Sequence, residues 1–272
     1  MHGSATLVGA AILSACADSS PLTPSPVSRA TAAGIATELK TIKDKGDALI
    51  VSSTGDILPA VTQFRTLLGA NNGAIEGEQN GGRREVNWDG VDGGGAQNTN
   101  NEAFPGNFFN VNSKRGVVFT TPSGLFRISN NGYTDINPSY AGLFNVFSPA
   151  RLFVARGSTI TDTHFFVAGS NTPAVVTGFG SVFANVGHAH STTIEFYGVD
   201  GQRLLTVTAP RRSDDRGLSF VGAIFESPVV AWVRVTSGDT PVGPDDNVKG
   251  AGQKRDVVAM DDFIYGEPRA IR

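Results

Sequence analysis

Between Arg83 and Tyr265 the chain is a succession of short apolar segments separated by turn residues, with no helical period among them. Side chains alternate across a strand, so a period of two enriched in Val, Thr and Phe marks half-buried strands. On this reading strands are expected at residues 116–121, 126–129, 150–155, 163–168, 175–183, 192–197, 202–208, 218–225, 229–236 and 257–265. The clearest hairpin joins 192–197 to 202–208, where Gly198-Val-Asp-Gly201 ends in an Asp-Gly pair that accepts positive φ. Gly178 and Gly180 interrupt one strand and mark a bulge or a close backbone approach. Short strands at regular spacing predict an all-β fold, a jelly-roll-like antiparallel β-sandwich with a short N-terminal helical segment.

Two segments bracket this series: Arg83-Arg-Glu-Val-Asn-Trp-Asp-Gly-Val91 and Asp256-Val-Val-Ala-Met-Asp-Asp-Phe-Ile-Tyr-Gly266. In the first, Val86 and Trp88 point one way and Glu85, Asn87 and Asp89 the other, which puts Trp88 in the core. The two are expected to be the first and last strands of the sandwich, lying side by side. Before them, residues 56–69 carry Ile57, Val61, Phe64, Leu67 and Leu68 on one helical face, with Pro59 in the first turn and Gly69 as the stop. That helix is expected to pack on the sandwich. Residues 29–54 are ambiguous: helical spacing over 30–45 is weakened by Gly34, and 48–51 reads as a short strand. The domain organisation expected is a signal at 1–16, a tether and poorly defined segment at 17–54, and a helix plus β-sandwich at 55–268.

The start of the chain carries an address. A short apolar core, residues 5–13, runs into Leu13-Ser14-Ala15-Cys16. It suits a secretory signal and is shorter than the ~20 apolar residues of a membrane helix. Leu-Ser-Ala-Cys resembles a bacterial lipobox, in which the Cys is acylated and becomes the mature N-terminus. Cys16 is the sole cysteine, so an intramolecular disulfide is excluded. The absence of Lys or Arg from Met1-His2-Gly3-Ser4 departs from the usual signal. The Ser/Pro-rich stretch 18–26 has the composition of a tether between lipid and domain. The expectation is a protein of the bacterial cell envelope, held to the bilayer through Cys16.

Charge excludes one class of partner. With 22 Lys and Arg against 25 Asp and Glu and no basic run, the chain lacks the clustered cations that nucleic acid requires. A monomer is expected. Chemistry-bearing residues are few. Glu85, Asp89, Asp261 and Asp262 are carboxylates set into apolar strands, which is costly unless they are exposed, paired or bound to a cation. Calcium takes six to eight oxygens and could use them, whereas Arg83, Arg84 or backbone amides could equally pair them. If Val233 and Val235 face the core, Trp232 and Arg234 face outward, where a Trp ring can stack on a sugar and an Arg can bond its hydroxyls. The opposite register buries Trp232. His188 and His190 lack a third metal ligand nearby, and His164 is unplaced. No nucleophile elbow, zinc-protease motif or phosphate-binding loop occurs.

Several blocks together resemble a family of uncharacterised bacterial exported proteins: Gly82–Val91, Phe108-Phe-Asn110, Arg115-Gly-Val-Val-Phe119, Phe147-Ser-Pro149 and 256–268, in that order. The likeness covers about the last two-thirds of the chain and implies no activity. A looser likeness is to galactose-binding-like jelly rolls, many of them carbohydrate-binding. It implies a structural calcium held by Glu85 or Asp89 with Asp261 or Asp262. Three functions are therefore open: a glycan-binding envelope lipoprotein, a carbohydrate-active hydrolase using paired carboxylates, or a structural or adhesive module. A cleft with two carboxyl groups ~5–10 Å apart favours the hydrolase. A shallow Trp/Arg face without such a pair favours binding.

Overall fold

A computed structural model describes residues 48–90, 103–212, 216–244 and 255–272. The expectations for the signal, Cys16 and the 30–45 helix lie outside the described residues. In chain order the elements are β1 (Leu49–Thr54), α1 (Leu58–Leu68), β2 (Arg83–Val86), α2 (Phe108–Val111), β3 (Val117–Thr120) and β4 (Phe126–Ser129). There follow β5 (Leu152–Ala155), β6 (Ile160–Phe165), β7 (Ala174–Val175), β8 (Gly178–Ala184), β9 (Thr193–Tyr197) and β10 (Arg203–Thr208). The last are β11 (Leu218–Ile224), β12 (Trp232–Thr236), β13 (Ala259–Gly266) and β14 (Arg269–Ala270).

The fold is an all-β sandwich of antiparallel sheets, as the strand pattern predicts. One sheet has seven strands in the order β1-β11-β8-β13-β5-β4, with β2 also on β13. A second has five, β10-β9-β12-β6-β3, and β14 pairs with β7 in a separate two-stranded sheet. The bracketing segments are neighbours: Val86 pairs with Phe263 and Arg84 with Tyr265. β1 lies in the poorly defined segment where a short strand at 48–51 is expected, and it pairs along β11 from Leu49↔Ile224 to Thr54↔Ser219. Before β3 the chain forms the short helix α2, which buries Phe109 and Asn110.

Burial follows the two faces. In the seven-stranded sheet Phe179, Phe183, Val221, Ala223, Phe263 and Tyr265 point into the inter-sheet core with Trp88, Phe153, Ile194, Phe196, Val233 and Val235. Their neighbours Val182, Phe220, Ile224 and Ile264 point the other way, onto Val61, Phe64 and Leu68 of α1. This second covering, together with Tyr133, Tyr140 and Leu143 packed on Leu152, Val154, Ala184 and Ala259, explains why β5, β8 and β13 are buried at every position. Among the described residues the five-stranded sheet has no such cover, and β6, β9 and β12 alternate strictly between buried and partly exposed. Gly180 turns out to be a close approach and not a bulge: it faces Gly222 of β11, and Phe64 sits over the pair. A Cβ on Gly222 would stand 2.7 Å from the Phe64 ring.

Candidate functional site

The register that turns Trp232 outward is the one adopted. Val233 and Val235 are fully buried, and Trp232 and Arg234 lie on the open face of the five-stranded sheet. Cross-strand pairing extends them into rows. Tyr197, Trp232 and His164 are directly opposed on β9, β12 and β6, and so are Glu195, Arg234 and Asp162 one step along. Trp232 stacks parallel on Tyr197 at 3.8 Å between centroids, and His164 covers its other side more loosely at 5.7 Å and 23°. The rings thus stand as a ridge whose edges meet solvent, and Trp232 is not a bare platform. Burial among them pushes the His164 imidazole below its usual range, against the pull of Asp162.

The neighbouring row is ionic. Arg234 grips Asp162 with two bonds of 2.7 and 2.8 Å, and its guanidinium lies 5.7 Å from the Trp232 ring centre. Arg203 donates to Glu195 at 2.7 Å. A third row is Thr208, Thr193 and Thr236, again in register across three strands. Of these residues the sequence singled out Trp232 and Arg234 only. Tyr197, Glu195 and Asp162 carried a visible signal, outward parity in alternating strands, but their partners depend on which strands are neighbours.

The four carboxylates expected to hold calcium converge at the opposite side of the β2–β13 pair. Between Met260 and Phe263 the register against β8 slips, from Phe183 to Ser181, so Asp261-Asp262 forms a β-bulge. Both carboxylates thereby reach one hydroxyl, Ser148 Oγ, at 3.0 Å from Asp261 Oδ1 and 2.7 Å from Asp262 Oδ1. Asp261 also accepts from the Phe147 amide at 2.6 Å, and Asp89 from the Arg151 amide at 3.1 Å. Arg65, from the last turn of α1, donates to Glu85 at 2.7 Å and to Asp262 at 2.9 Å, and Arg83 also bonds Glu85. The positive charge beside these carboxylates comes from the guanidinium groups of Arg65 and Arg83, and their remaining hydrogen bonds come from backbone amides and a hydroxyl. Among the described residues no group of three or more His, Cys, Asp or Glu is arranged to hold a metal ion.

Asp261 and Asp262 are sealed from solvent, at 0% and 1% exposure. Burial, then the charge of Asp262, pushes the Asp261 carboxyl up to about 8, and burial raises Asp262 as well. Trp88 closes the bulge: its indole N–H donates to the Asp261 carbonyl at 2.6 Å, while the ring stacks on Phe153 at 3.9 Å. Trp88 is the core residue expected. Four clefts formed by the described residues are not lined by Tyr197, Trp232, His164, Glu195, Arg234 or Asp162. His188 bonds Asp239 at 2.9 Å through Nδ1, and Ser191 bonds Asp256 and the His188 carbonyl. These contacts fasten the turn at 187–191.

No known protein-family model matches the chain, and no curated protein matches it either.

Proposed function

We propose that this is an exported, lipid-anchored β-sandwich protein that binds a glycan through the open face of its five-stranded sheet at the bacterial cell envelope. The observation that carries the reading is the Tyr197–Trp232–His164 row standing directly beside the Glu195–Arg234–Asp162 row. Aromatic bodies next to fixed polar groups are what a sugar needs, since its C–H surfaces seek apolar contact and its hydroxyls seek charged or amide partners. The hydrolase reading has less support. The adjacent carboxylates Asp261 and Asp262, which share Ser148, are buried. Calcium forms no part of the proposal, because Arg65 and Ser148 already serve the carboxylates. Anchoring rests on the Leu13–Cys16 motif alone.

The test is a glycan array with the purified protein, followed by calorimetric titration of the hits with Trp232→Ala and Tyr197→Ala variants. Binding that weakens at least about tenfold in both variants supports the site. A blank array removes glycan binding. For the anchor, metabolic labelling with a fatty-acid analogue should mark the wild type and not Cys16→Ser; unlabelled wild type ends that part of the proposal.

A further inference from the structure

The open face has a chemistry that narrows the ligand class, and this inference rests on the glycan reading above. Three features act together. The first is shape. Tyr197, Trp232, His164, Glu195, Arg234 and Asp162 stand outward on the alternating strands β6, β9 and β12, a sheet face, and line none of four clefts formed by the described residues. Small ligands and chain ends are held in concave sites that bury most of their surface. A sheet flank touches its ligand on one side only, and must gather many weak contacts along an extended one.

The second feature is charge. Arg234 is paired with Asp162 and Arg203 with Glu195, so the four ionic side chains of the face sum to zero. Each guanidinium is already in contact with a carboxylate. An anionic polymer would have to break these pairs and meet the released carboxylates, so the complement of the face is uncharged. The third feature is the threonine row. Thr208, Thr193 and Thr236 lie in register on β10, β9 and β12, with Thr206 and Thr120 at the two ends of the ionic row. Strands are ~4.8 Å apart and outward residues ~6.7 Å apart along each, so hydroxyls, ion pairs and ring edges form a regular lattice of hydrogen-bonding and apolar points.

We propose that the open face of the five-stranded sheet binds the flank of an extended, uncharged polysaccharide, and not a sugar terminus or an acidic glycan. The experiment is depletion of the full-length protein onto microcrystalline cellulose, colloidal chitin and insoluble starch. Glucose, N-acetylglucosamine and soluble alginate are run in parallel, in low salt and in 0.5 M NaCl (roughly a 4 Å screening length). The expected result is retention on a neutral polymer at least about tenfold tighter than binding of its monosaccharide, unchanged by salt. Thr236→Glu, which puts a charge into the hydroxyl row, should cut retention about tenfold with an unchanged melting temperature, as Trp232→Ala should. Monosaccharide binding as tight as polymer binding overturns the inference and leaves glycan binding standing. So does salt-sensitive retention on alginate alone, or a Thr236→Glu protein that binds as the wild type does. Failure to bind any of these carbohydrates, together with a blank array, removes the glycan reading itself.

Discussion

Ser148 Oγ lies within hydrogen-bonding distance of both Asp261 Oδ1 and Asp262 Oδ1, at 3.0 and 2.7 Å. A hydroxyl donates one proton, so it can satisfy one of these carboxylates at a time. The bulge that brings two successive acids to one side of β13 therefore creates a shortage of donors inside the protein. It is met from three elements: Arg65 on α1, the Phe147 amide, and a proton retained by the pair itself.

That proton makes stability depend on pH. Around the Asp261–Asp262 pair stand Glu85 on β2, Arg65 from α1, Tyr133 from the segment after β4, and Ser148, which Asp89 also approaches. With Asp261 raised to about 8 in the fold and ~3.9 when unfolded, the native state holds more protons than the unfolded state between those values. The contribution is fully present below pH ~4 and is lost as pH rises toward 8, with a slope of at most about 1.4 kcal/mol per pH unit. Asp262, raised also, acts in the same direction. Urea unfolding at pH 5, 6.5 and 8 should show falling stability, and Asp261→Asn should flatten the trend. A wild-type curve that rises over this window contradicts the shared proton.

Arg65 is the counter-ion of this cluster, touching Glu85 and the almost fully buried Asp262. Removing one partner of a buried pair leaves an uncompensated charge, so Arg65→Met should destabilise by about 3 kcal/mol. A chelator should leave the melting temperature of the wild type unchanged, because the carboxylates are served by protein donors. A drop of several degrees with chelator would reinstate the cation.

The contact of Phe64 with Gly180 and Gly222 is how α1 docks. Gly222→Ala places a methyl 2.7 Å from the Phe64 ring and 2.8 Å from the Gly180 Cα, with backbone on one side and a packed ring on the other. Overpacking of this kind costs about 1–3 kcal/mol, and Phe64→Ala alone about 3–5 kcal/mol through the cavity it leaves. The double variant should be less unstable than the sum of the two, because the truncated ring makes room for the methyl. Strict additivity in chemical denaturation would mean that the helix does not sit in this notch.

Trp88→Phe keeps most of the aromatic packing but removes the indole N–H from the buried Asp261 carbonyl. Leaving that acceptor unsatisfied should cost about 1–3 kcal/mol, measured by thermal or urea unfolding. Glycan binding should be unaffected, since Trp88 lies in the core and Trp232 on the open sheet face. A neutral substitution would show that the hydrogen bond carries no net weight.

Much of the fold was readable because it is written locally. Helix α1 follows from the spacing of Val61, Phe64 and Leu68, and the outward position of Trp232 and Arg234 from alternation along β12. Even the difference between the sheets has a local trace. Runs such as Leu152-Phe-Val-Ala155 have no polar side to spare, whereas Trp232-Val-Arg-Val-Thr236 does. The partners were not legible. Nothing near Asp262 in sequence points to Arg65, almost 200 residues away. β1 was ambiguous because its edge position leaves Ile50 half exposed and blurs the apolar pattern.

The amino-acid sequence by itself determined the class of elements, the face each strand presents and the near balance of charge, because periodicity and composition are properties of the chain itself. Only tertiary structure decided that Asp261 and Asp262 share a hydroxyl across a bulge, and that Tyr197 and His164 flank Trp232. Register between distant strands and a one-residue slip within a ladder are set by the whole sheet closing at once, and no local stretch of chain encodes that closure.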